Sequence, residues 1–140
     1  MNSSRGPLLL RALLRPLLGR STEVPASLVE QFAELRDIRF RRGGLPPRVG
    51  GWLLGQRSVA AVTLWRTVFL APDVHFDAFL LLHEARHVQH FAGSPLFPLR
   101  YTWASIRHGY RGNPYEADAN FYAQHRLRGG APLSALPPDV

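Results

Sequence analysis

The stretch Asp77-Ala78-Phe79-Leu80-Leu81-Leu82-His83-Glu84-Ala85-Arg86-His87-Val88-Gln89-His90-Phe91 decides the reading of this chain. Asp77 has the residue type of a helix N-cap, and Phe79 to Leu82, Val88 and Phe91 suit a buried helix. Each helical residue turns by about 100°, so His83 and His87 stand one turn apart on one face and can aim both imidazoles at a single ion. Glu84 lies to the side of that pair. From there a carboxylate can reach a metal-bound water without displacing it and act as general base. The pentapeptide is thus an HExxH sequence. A catalytic zinc usually takes three protein ligands, which leaves one to be found.

His90 is the nearest candidate, but residues 83 and 90 are about 10 Å apart along a helix axis, too far for ligands that each sit about 2 Å from one ion. It reads instead as a core residue or a support behind the ligands. The long form HExxHxxGxxH would need glycine at His90 and histidine at Gly93, so it is excluded. A downstream carboxylate is required. Asn113-Pro114 signals a helix start, and Tyr115 to Ala123 continue as helix. Glu116 and Asn120 share a face at i, i+4, whereas Asp118 points about 200° away from Glu116 and cannot join it on one ion. Glu116 is the expected third ligand. Asn120 is placed to orient a ligand histidine, and Ala119 and Ala123 are small enough for close packing against the motif helix.

HExxH followed by E-x-x-A-[D/N]-x-x-A, here Glu116, Ala119, Asn120 and Ala123, resembles the gluzincin branch of the zincin metallopeptidases. The second pattern is also similar to the ImmA/IrrE type of small intracellular zincin. The resemblance covers residues 59 to 126. It implies Zn2+ held by His83, His87 and Glu116, with Glu84 activating water, and a strand ahead of the motif helix, here Thr67 to Leu70, as the wall of a peptide-binding cleft. There are two departures: an apolar and aromatic insert, Ser94 to Ile106, that reads as a further helix, and Arg86 where a small residue is usual.

Length and composition suit one small domain. A chain of 140 residues with 46% apolar and 11% aromatic residues can build a single core. With no cysteine, disulfides and thiolate chemistry are excluded, and any zinc rests on nitrogen and oxygen. All 17 basic residues are arginine, giving a net charge of +7 against 10 acids. Beyond the N-terminal segment they are dispersed, with only Arg36 to Arg48 dense, so the charge reads as a solvated basic surface and is weak evidence of a partner, nucleic acid not being the expected one.

Residues 1–26 form an Arg/Leu-rich N-terminal segment, and a zincin-like domain is expected over 27–128, with a flexible Gly/Pro-rich tail over 129–140. Within residues 1–22, Arg11, Arg15 and Pro16 interrupt the leucines, short of the roughly 7 to 15 apolar residues of an export signal and the roughly 20 of a spanning helix. The expectation is a cytoplasmic protein, with peripheral membrane contact or export through residues 1–22 as the lesser reading. Ser27 to Asp37 reads as a helix with Leu28, Phe32 and Leu35 on one stripe, and Gly43-Gly44-Leu45-Pro46-Pro47 as a turn or linker. Val59 to Leu64 and Thr67 to Leu70 read as a hairpin turning at Trp65-Arg66.

The expected fold is α+β, a short hairpin or sheet packed on the HExxH helix and further helices. The expected function is zinc-dependent hydrolysis of a peptide or protein substrate, with Tyr110, His108 and Tyr115 as candidate oxyanion stabilisers. Two alternatives stand beside it: a non-catalytic metal-binding or interaction module of the same fold, and a basic nucleic-acid or membrane-surface protein with an incidental HExxH.

Overall fold

In the computed structural model, which describes residues 14, 16–53 and 59–134, the β-rich runs join in a four-stranded mixed sheet with helices packed on it. In chain order the elements are β1 (Arg20–Thr22), α1 (Ala26–Gln31), a 3-10 turn (Ala33–Leu35), β2 (Arg39–Arg42), α2 (Leu45–Leu53), β3 (Ala61–Leu64), β4 (Thr67–Leu70), α3 (Ala78–Gly93), α4 (Phe97–His108) and α5 (Pro114–Leu127). The fold class is α+β, as expected. The N-terminal Arg/Leu run, residues 1–13, lies outside the described residues, as do residues 135–140 of the tail.

The sheet order is β1-β2-β4-β3. β3 and β4 pair antiparallel around Trp65-Arg66, the hairpin read from the sequence. Trp65 takes the left-handed φ of 54° that a two-residue hairpin asks of its first turn residue, and its ring stacks on Phe91 at 5.6 Å. β2 runs parallel to β4, a pairing that needs a crossover, and α2 and β3 supply it. Two expectations are corrected here. Residues 45–47 open α2 instead of forming a linker, since prolines in a first turn lack only N–H groups that would have no helical partner. The helix expected over residues 27–37 breaks at Phe32 (φ −126°, ψ 87°), where Glu34 is drawn to Arg126 and Tyr122 of α5. The break still buries Phe32 and Leu35 in the core.

The motif helix α3 is central. Residues 81–87 are buried without interruption, so the helix is covered all round rather than along one stripe. Leu81, Leu82 and Ala85 join Phe40, Val68 and Leu70 of the sheet and Tyr122 and Ala123 of α5 in one core. Each fully buried leucine among them contributes about 1.5–3 kcal/mol. The α3–α5 contact is close because Ala119 and Ala123 present no side-chain bulk; both are fully buried. A second cluster, Phe97, Ala104 and Tyr115 with Phe91 and Tyr101, seats α4 beside α3 and α5. Among the described residues no helix is long and apolar enough to cross a membrane.

Candidate metal centre

Two caps set the two helices that carry the site. Asp77 accepts from the Phe79 N–H at 3.1 Å at the start of α3, and Asn113 accepts from the Tyr115 N–H at 2.9 Å at the start of α5. Each satisfies a backbone donor that the helix itself cannot. The i, i+4 spacing on α3 then brings His83 Nε2 and His87 Nε2 to 3.2 Å. Glu116, in the first turn of α5, places Oε2 3.1 Å from His83 Nε2 and Oε1 3.1 Å from His87 Nε2. Ligands about 2.0–2.1 Å from a tetrahedral zinc stand about 3.3 Å apart, so the spacing of these three donors suits such an ion.

The outer nitrogens set the tautomers. His83 Nδ1 lies 2.9 Å from Asn120 Oδ1, an acceptor, so Nδ1–H donates and the inner Nε2 carries a lone pair. His90 Nε2 lies 2.8 Å from Asp118 Oδ2 and donates to it. Burial holds His90 below its ordinary pKa, so the ring is neutral and its Nδ1 is bare. His87 Nδ1, 3.3 Å away, donates to that atom and leaves its own Nε2 bare. In these tautomers two nitrogen lone pairs and a carboxylate converge, whereas a proton on His83 Nε2 would make a hydrogen bond to Glu116 instead. Such a donor set fits a divalent cation. The same crowding shifts the pKa values of two of the donors. Burial favours the uncharged forms of His83 and Glu116, but their mutual hydrogen bond outweighs it, raising His83 and holding Glu116 well below the usual carboxylate range.

Glu84, buried like the donors, sits beside them, and its charge acts on His83. Its Oε2 accepts from Thr63 Oγ1 on β3 at 2.6 Å. Thr63 was not singled out in the sequence; the only signal was one hydroxyl between the apolar Val62 and Leu64. Tyr101 was also missed, read merely as part of an apolar helix. Its hydroxyl donates to Glu116 Oε1 at 2.7 Å, while burial and the Glu116 charge raise its pKa.

The oxyanion candidates separate. Tyr110 lies near the site, half exposed, with its pKa raised by partial burial and by the Glu116 charge. Tyr115 is buried among the rings of His90, Phe97 and Tyr101, and so serves the core. His108 is exposed at the end of α4. The strand expected to wall the cleft is also different. β4 is paired on both sides, by β2 and β3, so it has no free edge; β3, which carries Thr63, is the edge strand next to α3.

Asp118 faces away from the donors yet connects to them. It accepts from Arg86 Nε at 2.6 Å and from His90, and these contacts hold its pKa at about 2 against the effect of burial. Arg86 is itself buried: it stacks over the Tyr122 ring at 4.8 Å and donates to Gln89 Oε1 and to the Leu133 carbonyl. The unusual arginine inside the motif thus fixes Asp118, which fixes His90 behind His87. Other arginines also serve the fold. Arg41 donates to the carbonyls of Leu18 and Gly19, Arg42 to those of Pro72 and Val74, and Arg126 pairs with Glu34.

No family model, curated protein or solved structure matches the chain.

Proposed function

We propose that the protein is a zinc-dependent peptide hydrolase with His83, His87 and Glu116 as ligands and Glu84 as general base. The observation that carries this reading is the convergence of two imidazole nitrogens and a carboxylate at 3.1–3.2 Å, with a second buried carboxylate beside them. Zinc bound there would supply a Lewis acid that acidifies water and polarises a carbonyl. Glu84 would accept the proton of the attacking water and pass it to the departing amine. Thr63 donates to Glu84 Oε2 and fixes that carboxylate, and Asn120 and His90 fix the two rings. Tyr110 brings a hydroxyl to the Glu116 side, where it can donate to an oxygen that gains charge, while Tyr101 holds Glu116 Oε1. An extended substrate would lie along β3, the edge strand among the described residues.

A second reading is favoured by burial. The donors are only 6–8% exposed, which also suits a closed metal site without turnover. Metal content and cleavage of an unstructured protein such as casein separate the two. The hydrolase binds about one zinc per chain and cleaves, and Glu84→Gln keeps the metal while abolishing cleavage. A zinc-loaded wild type without cleavage supports the closed site, and a chain that takes up no zinc on reconstitution rejects both.

A further inference from the structure

Helix α4 turns Phe97, Tyr101 and Ala104 inward toward the candidate site, and among the described residues nothing packs on the opposite face, which is exposed. Leu99, Trp103 and Ile106 recur at i, i+4 and i+7, so they form one stripe. They are 70%, 57% and 72% exposed, with Leu96 at the helix start 53% exposed. A contiguous apolar stripe of this kind on a surface helix marks a contact site. Arg100 and Arg107 lie about 40–120° around the helix from the stripe and flank it on one side, with Arg111 just beyond the helix end. All three are exposed, and among the described residues none is ion-paired.

The charge along the sequence that carries the stripe is of one sign. From residue 85 to residue 115 the sequence has no Asp or Glu, and its exposed charges are Arg100, Arg107 and Arg111, Arg86 being buried and paired with Asp118. A second copy of this chain would bring the same positive face and a net charge of +7, and so would be repelled. An electrically neutral apolar partner would leave the arginines unanswered. An apolar stripe with a tryptophan and a one-sided arginine flank is the composition that lies in the headgroup region of an anionic bilayer.

We propose that the outer face of α4 binds an anionic lipid surface, with Leu99, Trp103 and Ile106 entering the interface and Arg100, Arg107 and Arg111 meeting lipid phosphates. The proposal rests on α4 alone and does not depend on the metal reading. It would hold the candidate site one helix thickness from the membrane surface.

Cosedimentation of the full chain with phosphatidylcholine vesicles, with and without phosphatidylglycerol, tests it. The wild type should bind only the anionic vesicles and lose binding as salt rises. Leu99→Asp with Ile106→Asp should lower affinity about tenfold or more, and Arg100→Gln with Arg107→Gln about fivefold per arginine removed. Because these side chains are exposed, thermal unfolding of both variants should match the wild type. If the aspartates unfold the chain, Leu99→Ser with Ile106→Ser takes their place. With Trp52→Phe and Trp65→Phe, emission from the remaining Trp103 should shift to the blue when anionic vesicles are added. Each of the following results would overturn the proposal: no vesicle binding, undiminished binding by the folded stripe variants, an unshifted Trp103, or a dimer in solution that the stripe substitutions dissociate.

Discussion

Thr63 and Glu84 are joined by a 2.6 Å hydrogen bond that crosses from the edge strand of the sheet to the central helix. The bond fixes one carboxylate oxygen without touching a ligand atom. Thr63→Val keeps the shape and removes the donor. On the proposed reading it should leave zinc content unchanged and lower kcat/KM roughly tenfold, against a loss of about 100-fold or more in Glu84→Gln. Zinc analysis beside casein cleavage checks this. Equal activity in Thr63→Val and wild type would show that the bond does not position the base.

Zinc affinity should follow the connections around the donors. Glu116→Ala removes a ligand and a charge and should show the greatest loss. Asn120→Ala and Asp118→Ala each remove the support of one imidazole and should fall between it and wild type, at about 10–100-fold weaker binding. The sequence alone suggested that Asp118 would matter little; its contact with His90 changes that expectation. Competition with a chelating dye would rank the variants, and wild-type affinity in Asp118→Ala would remove the Asp118–His90 pair from any supporting role.

Ala119 controls how closely the two site helices approach. It is fully buried and one turn after Glu116. Ala119→Leu should cost about 1–3 kcal/mol in denaturant unfolding through overpacking, and should weaken zinc binding by moving the Glu116 carboxylate. A stable variant with unchanged metal affinity would mean that the interface has slack.

Acid should destabilise the protein in part through Glu34. Burial would raise its pKa from the ordinary 4.5, but the hydrogen bonds to Arg126 and Tyr122 hold it lower. The folded pKa lies below the unfolded one, so the pair contributes stability above 4.5 and loses it as pH falls through the folded value. Glu34→Gln should cost roughly 2 kcal/mol at neutral pH. Chemical denaturation as a function of pH should show the gap between wild type and variant closing in acid. A constant gap would assign the stability to packing alone.

The helices of the candidate site were legible because their signals are local: Asp77 and Asn113-Pro114 as starts, the i, i+4 histidines, and the small Ala119 and Ala123. The hairpin was legible from its β-rich runs and two-residue turn. Strand β2 was not, because Arg39-Phe40-Arg41-Arg42 reads as a solvated basic run. It becomes a strand through distant partners: Phe40 enters the core, while Arg41 and Arg42 reach carbonyls that lie 20 to 30 residues away in sequence, roughly speaking. The break at Phe32 likewise depends on Arg126, far along the chain. Thr63 and Tyr101 escaped for the same reason. A hydroxyl within an apolar run shows what it can bond to, but not which partner the fold brings near.

The contact between Arg86 and the carbonyl of Leu133 separates two kinds of tolerance. A backbone oxygen accepts this bond, and almost any residue at 133 can supply one. Substitution there is therefore expected to be mild. Length is another matter, since the oxygen must arrive at a guanidinium already committed to Asp118, Gln89 and Tyr122. A deletion between Leu127 and Leu133 withdraws it and leaves a buried N–H with no acceptor, whatever sequence remains. The tail up to this point is thus expected to be permissive in spelling and strict in reach.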